Sequence, residues 1–306
     1  MIRTLFVLLA GVILTFSLSA WVRVSGLIRA PWAHDHCSRA SSFWGRAMVQ
    51  LAGVRVTLEG ATREKMDRPL VVVANHQSWF DVFVLGGLLP GRARFVAKEE
   101  LRRIPLFGAA WETCGHIRVN RGDRAEAVRS LNEAGTRIRE ERLNVILFPE
   151  GTRSPDGHLL PFKKGAFVLA IQTGVPVLPV GISGSRAVMA KGSFRIRPGE
   201  IRVRVGEPIE VEGLTTADRD QLLARARSEI LALMDPSDAG DVRPSGLDAE
   251  SDHAAESGLA ADSNHAAASG VVSDVSTPSP SSTPAGTASP RVSRHEPIPD
   301  ITETSE

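Results

Sequence analysis

His76 and Asp81 stand five residues apart in Asn75-His76-Gln77-Ser78-Trp79-Phe80-Asp81, directly after the apolar run Leu70-Val71-Val72-Val73-Ala74. An imidazole within reach of a carboxylate can serve as a general base. The carboxylate accepts a hydrogen bond from one ring nitrogen, which holds the tautomer and leaves the other nitrogen to take a proton. On a helix of 3.6 residues per turn, positions five apart point about 140° from one another, so the two cannot share a helical face. The spacing therefore predicts His76 in the loop after a strand, with Asp81 in the first turn of the following helix and pointing back. This is two thirds of a Ser-His-Asp triad. Without the serine, the pair suits a transfer in which the substrate's own hydroxyl is the nucleophile. The bland alternative is a structural histidine beside a helix-capping carboxylate.

A second cluster, Phe148-Pro149-Glu150-Gly151-Thr152-Arg153-Ser154, follows another apolar run, Asn144 to Phe148. Strand ends in α/β sheets are where sites assemble. A glycine and a hydroxyl residue beside an arginine can cradle an anion, because backbone N–H groups approach closely and guanidinium grips phosphate oxygens in a fork. A surface turn with an exposed arginine would read the same way in isolation.

Taken together, Asn75 to Asp81 and Phe148 to Ser154 resemble the first and third signature blocks of the glycerolipid acyltransferase family. The second block is visible as Lys98-Glu99-Glu100-Leu101, Ile104-Pro105, Phe107-Gly108 and Gly115 to Arg121, and the fourth as Val175-Pro176-Val177-Leu178-Pro179-Val180. The four blocks keep the family's order across residues 70–185, and the second is the loosest. The resemblance implies an acyltransferase acting on a lysophospholipid such as lysophosphatidate, with acyl-CoA or acyl carrier protein as donor. It implies His76 as base, Asp81 as its orienting partner, and Arg153, with Arg121 and Lys98, as the phosphate-binding cations. Glu150, Gly151 and Thr152 would shape the acceptor pocket, and the Pro176 to Pro179 block would be apolar wall or core. No metal, prosthetic group or nucleic-acid partner is expected.

The elements that must hold these residues are legible as alternating runs. Strands are predicted over Leu70–Ala74, Arg94–Ala97, Asn144–Phe148, Val177–Ile182 and Ile201–Val205, and residues Phe43 to Val56 have mixed apolar character. Helices are predicted over Asp81–Leu89, Ile104–Thr113, Arg124–Arg142, Gly165–Thr173 and Thr216–Met234. Asp123 would cap the third of these, and Ala127, Leu131, Ala134 and Ile138 keep one of its faces apolar. Strands alternating with helices predict an α/β domain over residues 29–236, a mixed β-sheet flanked by helices.

Two flanking regions differ from that body. Residues Thr4 to Val22 contain no charge and are long enough to cross a bilayer core of about 30 Å, so residues 1–28 read as a membrane anchor helix. Arg23, Arg29, Arg39 and Arg46 follow it, which by the positive-inside rule puts the domain on the cytoplasmic side of the cytoplasmic membrane. Ser17-Leu18-Ser19-Ala20 resembles a signal cleavage site, but no basic cluster precedes the apolar run. From residue 237 the chain is rich in Ser, Asp, Ala, Thr and Pro, and should lack the apolar surface to order itself.

That tail holds 12 acidic and 3 basic residues, which leaves +10 on residues 1–236 and suits an anionic membrane, a phosphorylated substrate or an acidic carrier protein. The two cysteines, Cys37 and Cys114, show no disulfide or zinc spacing and read as small buried hydrophobes in a reducing compartment. Three rivals stand beside the lysophosphatidate reading. One is an acyltransferase for another acceptor, such as a lyso-ornithine lipid. A second is a hydrolase using Cys114 or a serine. The third is an inert membrane-tethered scaffold.

Overall fold

The computed structural model describes residues 2–27, 33–89, 92–119, 135 and 137–239, all within a unit spanning residues 1–247. Arg121, Asp123, Ala127, Leu131, Ala134 and the tail beyond Ala239 lie outside the described residues. Among those described, seven strands form one mixed sheet: β1 Val54–Glu59, β2 Leu70–Ala74, β3 Ala93–Lys98, β4 Ile117–Val119, β5 Asn144–Leu147, β6 Val177–Ser183 and β7 Gly199–Val205. Their order is β1-β7-β6-β2-β5-β3-β4. Every pair is parallel except β6 with β7. The longer helices are α1 Ile2–Leu27, α2 Ala33–Leu51, α3 Trp79–Leu88, α4 Phe107–Thr113, α5 Gly165–Thr173 and α6 Arg219–Leu233.

The central strand shows why the sheet is covered on both faces. Every residue of β2 is buried, and successive side chains of a strand point to opposite faces. Leu70, Val72 and Ala74 join Met48 and Val49 of α2 and Phe80, Val84 and Leu85 of α3 in one core. Val71 and Val73 join Ile138, Phe167, Leu169, Leu222 and Ile230 in the other. Full burial of a Val, Leu or Phe side chain stabilises by about 1.5–3 kcal/mol each, so the run around β2 is a main source of fold stability. The fourth signature block is β6, buried along its whole length, and is core.

The predicted strands all form, extended by a residue or two at some ends, except that the one expected over Asn144–Phe148 stops at Leu147. Two more escaped the sequence reading. β1 begins in the last three residues of the mixed apolar stretch Phe43–Val56 and runs past it, and Val54-Arg55-Val56-Thr57-Leu58-Glu59 alternates as an edge strand should. The three-residue β4 is too short to carry a pattern. The helix expected from Ile104 starts only at Phe107, because Pro105 and the positive φ of Leu106, 60°, interrupt it. Of the helix expected over 124–142, residues 135 and 137–140 are helical and Ile138 is fully buried. Arg142, at φ 52°, lies in the turn that follows.

α1 lies against the domain along its length. Thr4 Oγ1 bonds the backbone of Ile196, Val7 is buried, and Gly11 faces Met48. Trp44 Nε1 donates to Thr15 Oγ1 at 2.9 Å, Ser19 and Val22 are buried, and Gly26 faces Thr113. These positions recur every three or four residues and form one helical stripe. The remaining surface carries exposed Leu5, Phe6, Leu9, Val12, Ile13 and Phe16.

α2 crosses α3 where Gly45 and Gly87 bring the two backbones together; a Cβ at Gly87 would meet Arg46 N at 2.8 Å. The cysteines correct the sequence expectation: Cys37 of α2 and Cys114, at the end of α4, form a disulfide. A separation of 77 residues gave no local signal for it.

Candidate active site

Local chain chemistry fixes the His76 loop. Ser78 is the N-cap of α3, its hydroxyl accepting from Phe80 N at 3.2 Å. Asp81, at the third helical position, reaches back so that Oδ2 accepts from Ser78 N at 2.8 Å and Gln77 N at 2.7 Å. This is a capping box with aspartate in place of the usual glutamate. The same Oδ2 lies 2.8 Å from His76 Nδ1. A carboxylate oxygen only accepts, so Nδ1 carries the ring proton and Nε2 is bare. The five-residue spacing follows: the acid sits where a helix start wants it, and the histidine sits two residues ahead of the cap.

The ring is held in two further ways. Phe148 stacks on it at a centroid distance of 3.9 Å. Asn75, just before it, is clamped to β6, donating to Ile182 O at 2.8 Å and accepting from Ile182 N at 2.7 Å. His76 itself is only partly buried, its side chain 14% exposed.

The Phe148–Ser154 segment follows β5, the parallel neighbour of β2, so both loops leave the same edge of the sheet. Gly151 makes the turn at φ 74°, a backbone state that a side chain would strain. Glu150 is 4% exposed, its carboxyl accepting from His76 N at 2.6 Å and Leu160 N at 3.0 Å. Ser154 N returns a bond to His76 O at 2.7 Å. The two loops are thus joined backbone to side chain and backbone to backbone. Burial pushes the Glu150 carboxyl up to about 8, helped by the nearby charge of Asp81 and opposed by the two backbone donors and Arg227.

Arg153 lies over the Trp79 ring, 5.0 Å from its centroid. Trp79 opens α3, so the stack brings the guanidinium to the His76 loop. Partial burial lowers its pKa and the charge of Asp81 raises it. Thr152 accepts from Lys191 Nζ at 3.2 Å, and the aliphatic end of Lys163 lies against Gly151. Arg227 of α6 donates to the carbonyls of Leu160 and Leu159 at 2.9 and 3.1 Å. Sequence reading missed Phe148 as a ring partner, and missed Lys163, Lys191 and Arg227 as cations of this region. Only the position of Phe148 at the head of the third block signalled a role. Lys98 ends β3 at the same strand edge, while Arg121 is outside the described residues.

The serine hydroxyls of the two loops are engaged elsewhere. Ser78 Oγ donates to Met189 O at 2.7 Å, and Ser154 Oγ donates to Asp156 at 2.9 Å. Cys114 is bonded to Cys37. An apolar recess opens among α1, α2 and α4, lined in part by Leu18, Val22, Trp44, Phe107 and Trp111, and contains none of the residues around His76.

Comparison with known proteins gives this geometry a relation. A family model described as Acyltransferase matches residues 55–183. The chain is 33% identical over 189 residues to the 1-acyl-sn-glycerol-3-phosphate acyltransferase of Cocos nucifera, a match that spans 61% of each chain and so less than two thirds of that relative. It is 35% identical over 214 residues to the enzyme of the same name from Limnanthes alba, covering 69% of this chain and 74% of the other. The crystal structure of the 1-acyl-sn-glycerophosphate acyltransferase of Thermotoga maritima superposes with a TM-score of 0.65 at 30% identity, over 75% of this chain and 92% of that one. A histidine oriented by a carboxylate, joined to an arginine-bearing loop on the edge of a mixed sheet, therefore has the relatives its blocks implied, and the chain belongs to the acyltransferase family.

Proposed function

We propose that this chain moves a fatty acyl group from a thioester, acyl-CoA or acyl carrier protein, to the sn-2 hydroxyl of 1-acyl-sn-glycerol 3-phosphate, giving phosphatidate. The observation that carries this reading is the bare Nε2 of His76 beside a cationic loop, with Ser78, Ser154 and Cys114 all otherwise bonded. The nucleophile then comes from the substrate, which argues against a hydrolase that acylates itself.

In the reaction, His76 Nε2 takes the proton of the acceptor hydroxyl as its oxygen attacks the thioester carbonyl. Asp81 stabilises the imidazolium that forms. The tetrahedral adduct collapses, the C–S bond breaks, and the departing thiolate recovers the proton. A thiol of pKa about 8.5 is a good leaving group, so activating the alcohol is the main demand, and a positioned histidine contributes about 10²- to 10⁴-fold. Arg153 grips the acceptor's phosphate, with Lys191 and Lys163 beside it and Lys98 and Arg121 as further cations.

An acceptor that already carries an acyl chain resides in a membrane, and α1 suits that. Its small and polar stripe packs on the domain, while its exposed face is made of large apolar side chains. A helix of 26 residues is about 39 Å long. Because both of its ends touch the domain, it cannot stand across a bilayer while the domain stays in water. We place it along the membrane interface rather than through the core. The basic residues after α1 favour the cytoplasmic face, where activated acyl groups are made. The Cys37–Cys114 disulfide is of a kind commoner in oxidising compartments; protease protection in sealed vesicles decides the side.

The direct test incubates purified protein with lysophosphatidate, lysophosphatidylglycerol, a lyso-ornithine lipid and glycerol 3-phosphate, each with both thioester donors, and identifies products by mass. Phosphatidate should dominate. Free fatty acid without acceptor, or a trapped acyl-enzyme, would turn the reading to hydrolysis. Removing residues 240–306 should leave turnover intact, whereas a scaffold would lose its role.

A further inference from the structure

We propose that the turn over residues 190–198 is a second membrane-docking element that reads anionic lipid, seating the His76 site at the headgroup plane. The proposal rests on the membrane reading of α1 given above and names a surface that reading does not use.

The turn has the composition of a bilayer contact. Phe194 is 75% exposed, with Lys191, Arg195 and Arg197 exposed around it. No acidic residue occurs between Arg186 and Gly199, and neither Arg195 nor Arg197 pairs with a carboxylate among the described residues. A lone exposed phenylalanine is ordinary on a protein surface. Flanked by uncompensated cations, it has the form of an aromatic and basic interface anchor.

The turn is also built, not loose. Ile196 is a buried plug between the two outward arginines, Arg197 N donates to Val188 O at 3.0 Å and Ser193 N to Ala190 O at 3.1 Å. Thr4 of α1 bonds both the N–H and the carbonyl of Ile196. The turn is therefore fastened to the first turn of α1, where Ile2, Leu5 and Phe6 are exposed. At its other end it reaches the site: Met189 O accepts from Ser78 Oγ at 2.7 Å, and Lys191 Nζ bonds Thr152. A contact that enters the bilayer here would hold the catalytic loops at a set height above it.

An anionic bilayer fits better than an acidic carrier protein, because the element is continuous with the apolar face of α1 through Thr4 and leads with an aromatic. The described cysteines are both in the disulfide, so Phe194→Cys supplies one reactive thiol for an environment-sensitive fluorophore. On full-length protein, its emission should shift to the blue with vesicles of phosphatidylcholine and phosphatidylglycerol, and much less with phosphatidylcholine alone. No shift, or an equal shift in both, overturns the proposal.

In parallel, the triple variant Phe194→Ala, Arg195→Ala, Arg197→Ala should lose about fivefold or more per arginine on long-chain lysophosphatidate in the anionic vesicles. It should keep wild-type turnover on a short-chain, water-soluble lysophosphatidate with acyl-CoA, and an unchanged Tm. Equal loss in both formats places these residues at the donor or the reacting site and overturns docking. A wild-type protein inactive in both formats counts against the proposed function, and the fluorophore still decides the docking.

Discussion

The two loops that meet at the site are held in opposite ways. The one bearing His76 and Asp81 ties its own pieces together: the bonds that orient the ring and cap the helix span three to five residues. The one bearing Arg153 is placed by distant partners, through Glu150 to His76, Gly157 to Gln77 and Leu160 to Arg227, over separations of 74, 80 and 67 residues. The ring orientation of His76 is therefore set first within its own loop, with Asn75 on β6 and Phe148 as distant supports, while its distance from Arg153, the proposed phosphate-binding cation, depends on bonds between loops. Chemistry and recognition should fail separately when one loop is damaged, and together when the clamp between them is.

The largest effect is expected at the self-contained loop. On the proposed mechanism His76→Ala should lower kcat by about 10²- to 10⁴-fold, with a smaller loss of Tm from the stack on Phe148. Near-normal turnover in a thioester assay would end the assignment. Asp81→Asn should add a loss of stability, because its Oδ2 also takes two backbone N–H groups.

Glu150→Ala attacks the clamp and should do both kinds of harm. It leaves two partly buried N–H groups without their acceptor, at up to about 1–3 kcal/mol each, and should lower kcat and raise the acceptor KM together. A lower Tm with unchanged kinetics would make Glu150 a purely structural residue and break the comparison. Arg153→Ala should be narrower: an acceptor KM raised about tenfold or more, with the donor KM unchanged. An unaltered acceptor KM removes Arg153 from the phosphate site.

A separate effect is in pH. The Glu150 carboxyl is raised from 4.5 to about 8 by burial, so the folded protein holds this proton more tightly than the unfolded chain. Its contribution is fully present below about 4.5 and is lost as pH rises through about 8. Thermal midpoints should fall across that window in the wild type relative to Glu150→Gln, which has no carboxyl to titrate. Parallel curves for the two proteins would show that the group is ionised as usual.

Several features were legible because their causes are local. The unbroken runs of β2 and β5 announced buried strands, and the His-x4-Asp spacing announced a loop histidine and a first-turn acid. What stayed hidden has non-local causes. Cys37 and Cys114 gave no pairing signal, since their contact is made by α2 meeting α4. Phe148 became a ring partner only once β2 and β5 lay side by side. Glu150 has a role by resemblance alone in the sequence; its inward turn depends on the N–H groups of His76 and Leu160, which the fold brings to it.

By itself, the sequence determined the alternation of strands and helices, the apolar length of α1, and the geometry of the base, because hydrophobic period and helix capping act within a few residues. Only the tertiary structure decided that α1 lies flat along the domain, that the arginine loop is fastened to the histidine loop, and that a carboxyl closes the join. Those outcomes depend on which surfaces meet after the chain collapses, and a buried polar group can be satisfied only by partners that the fold brings to it.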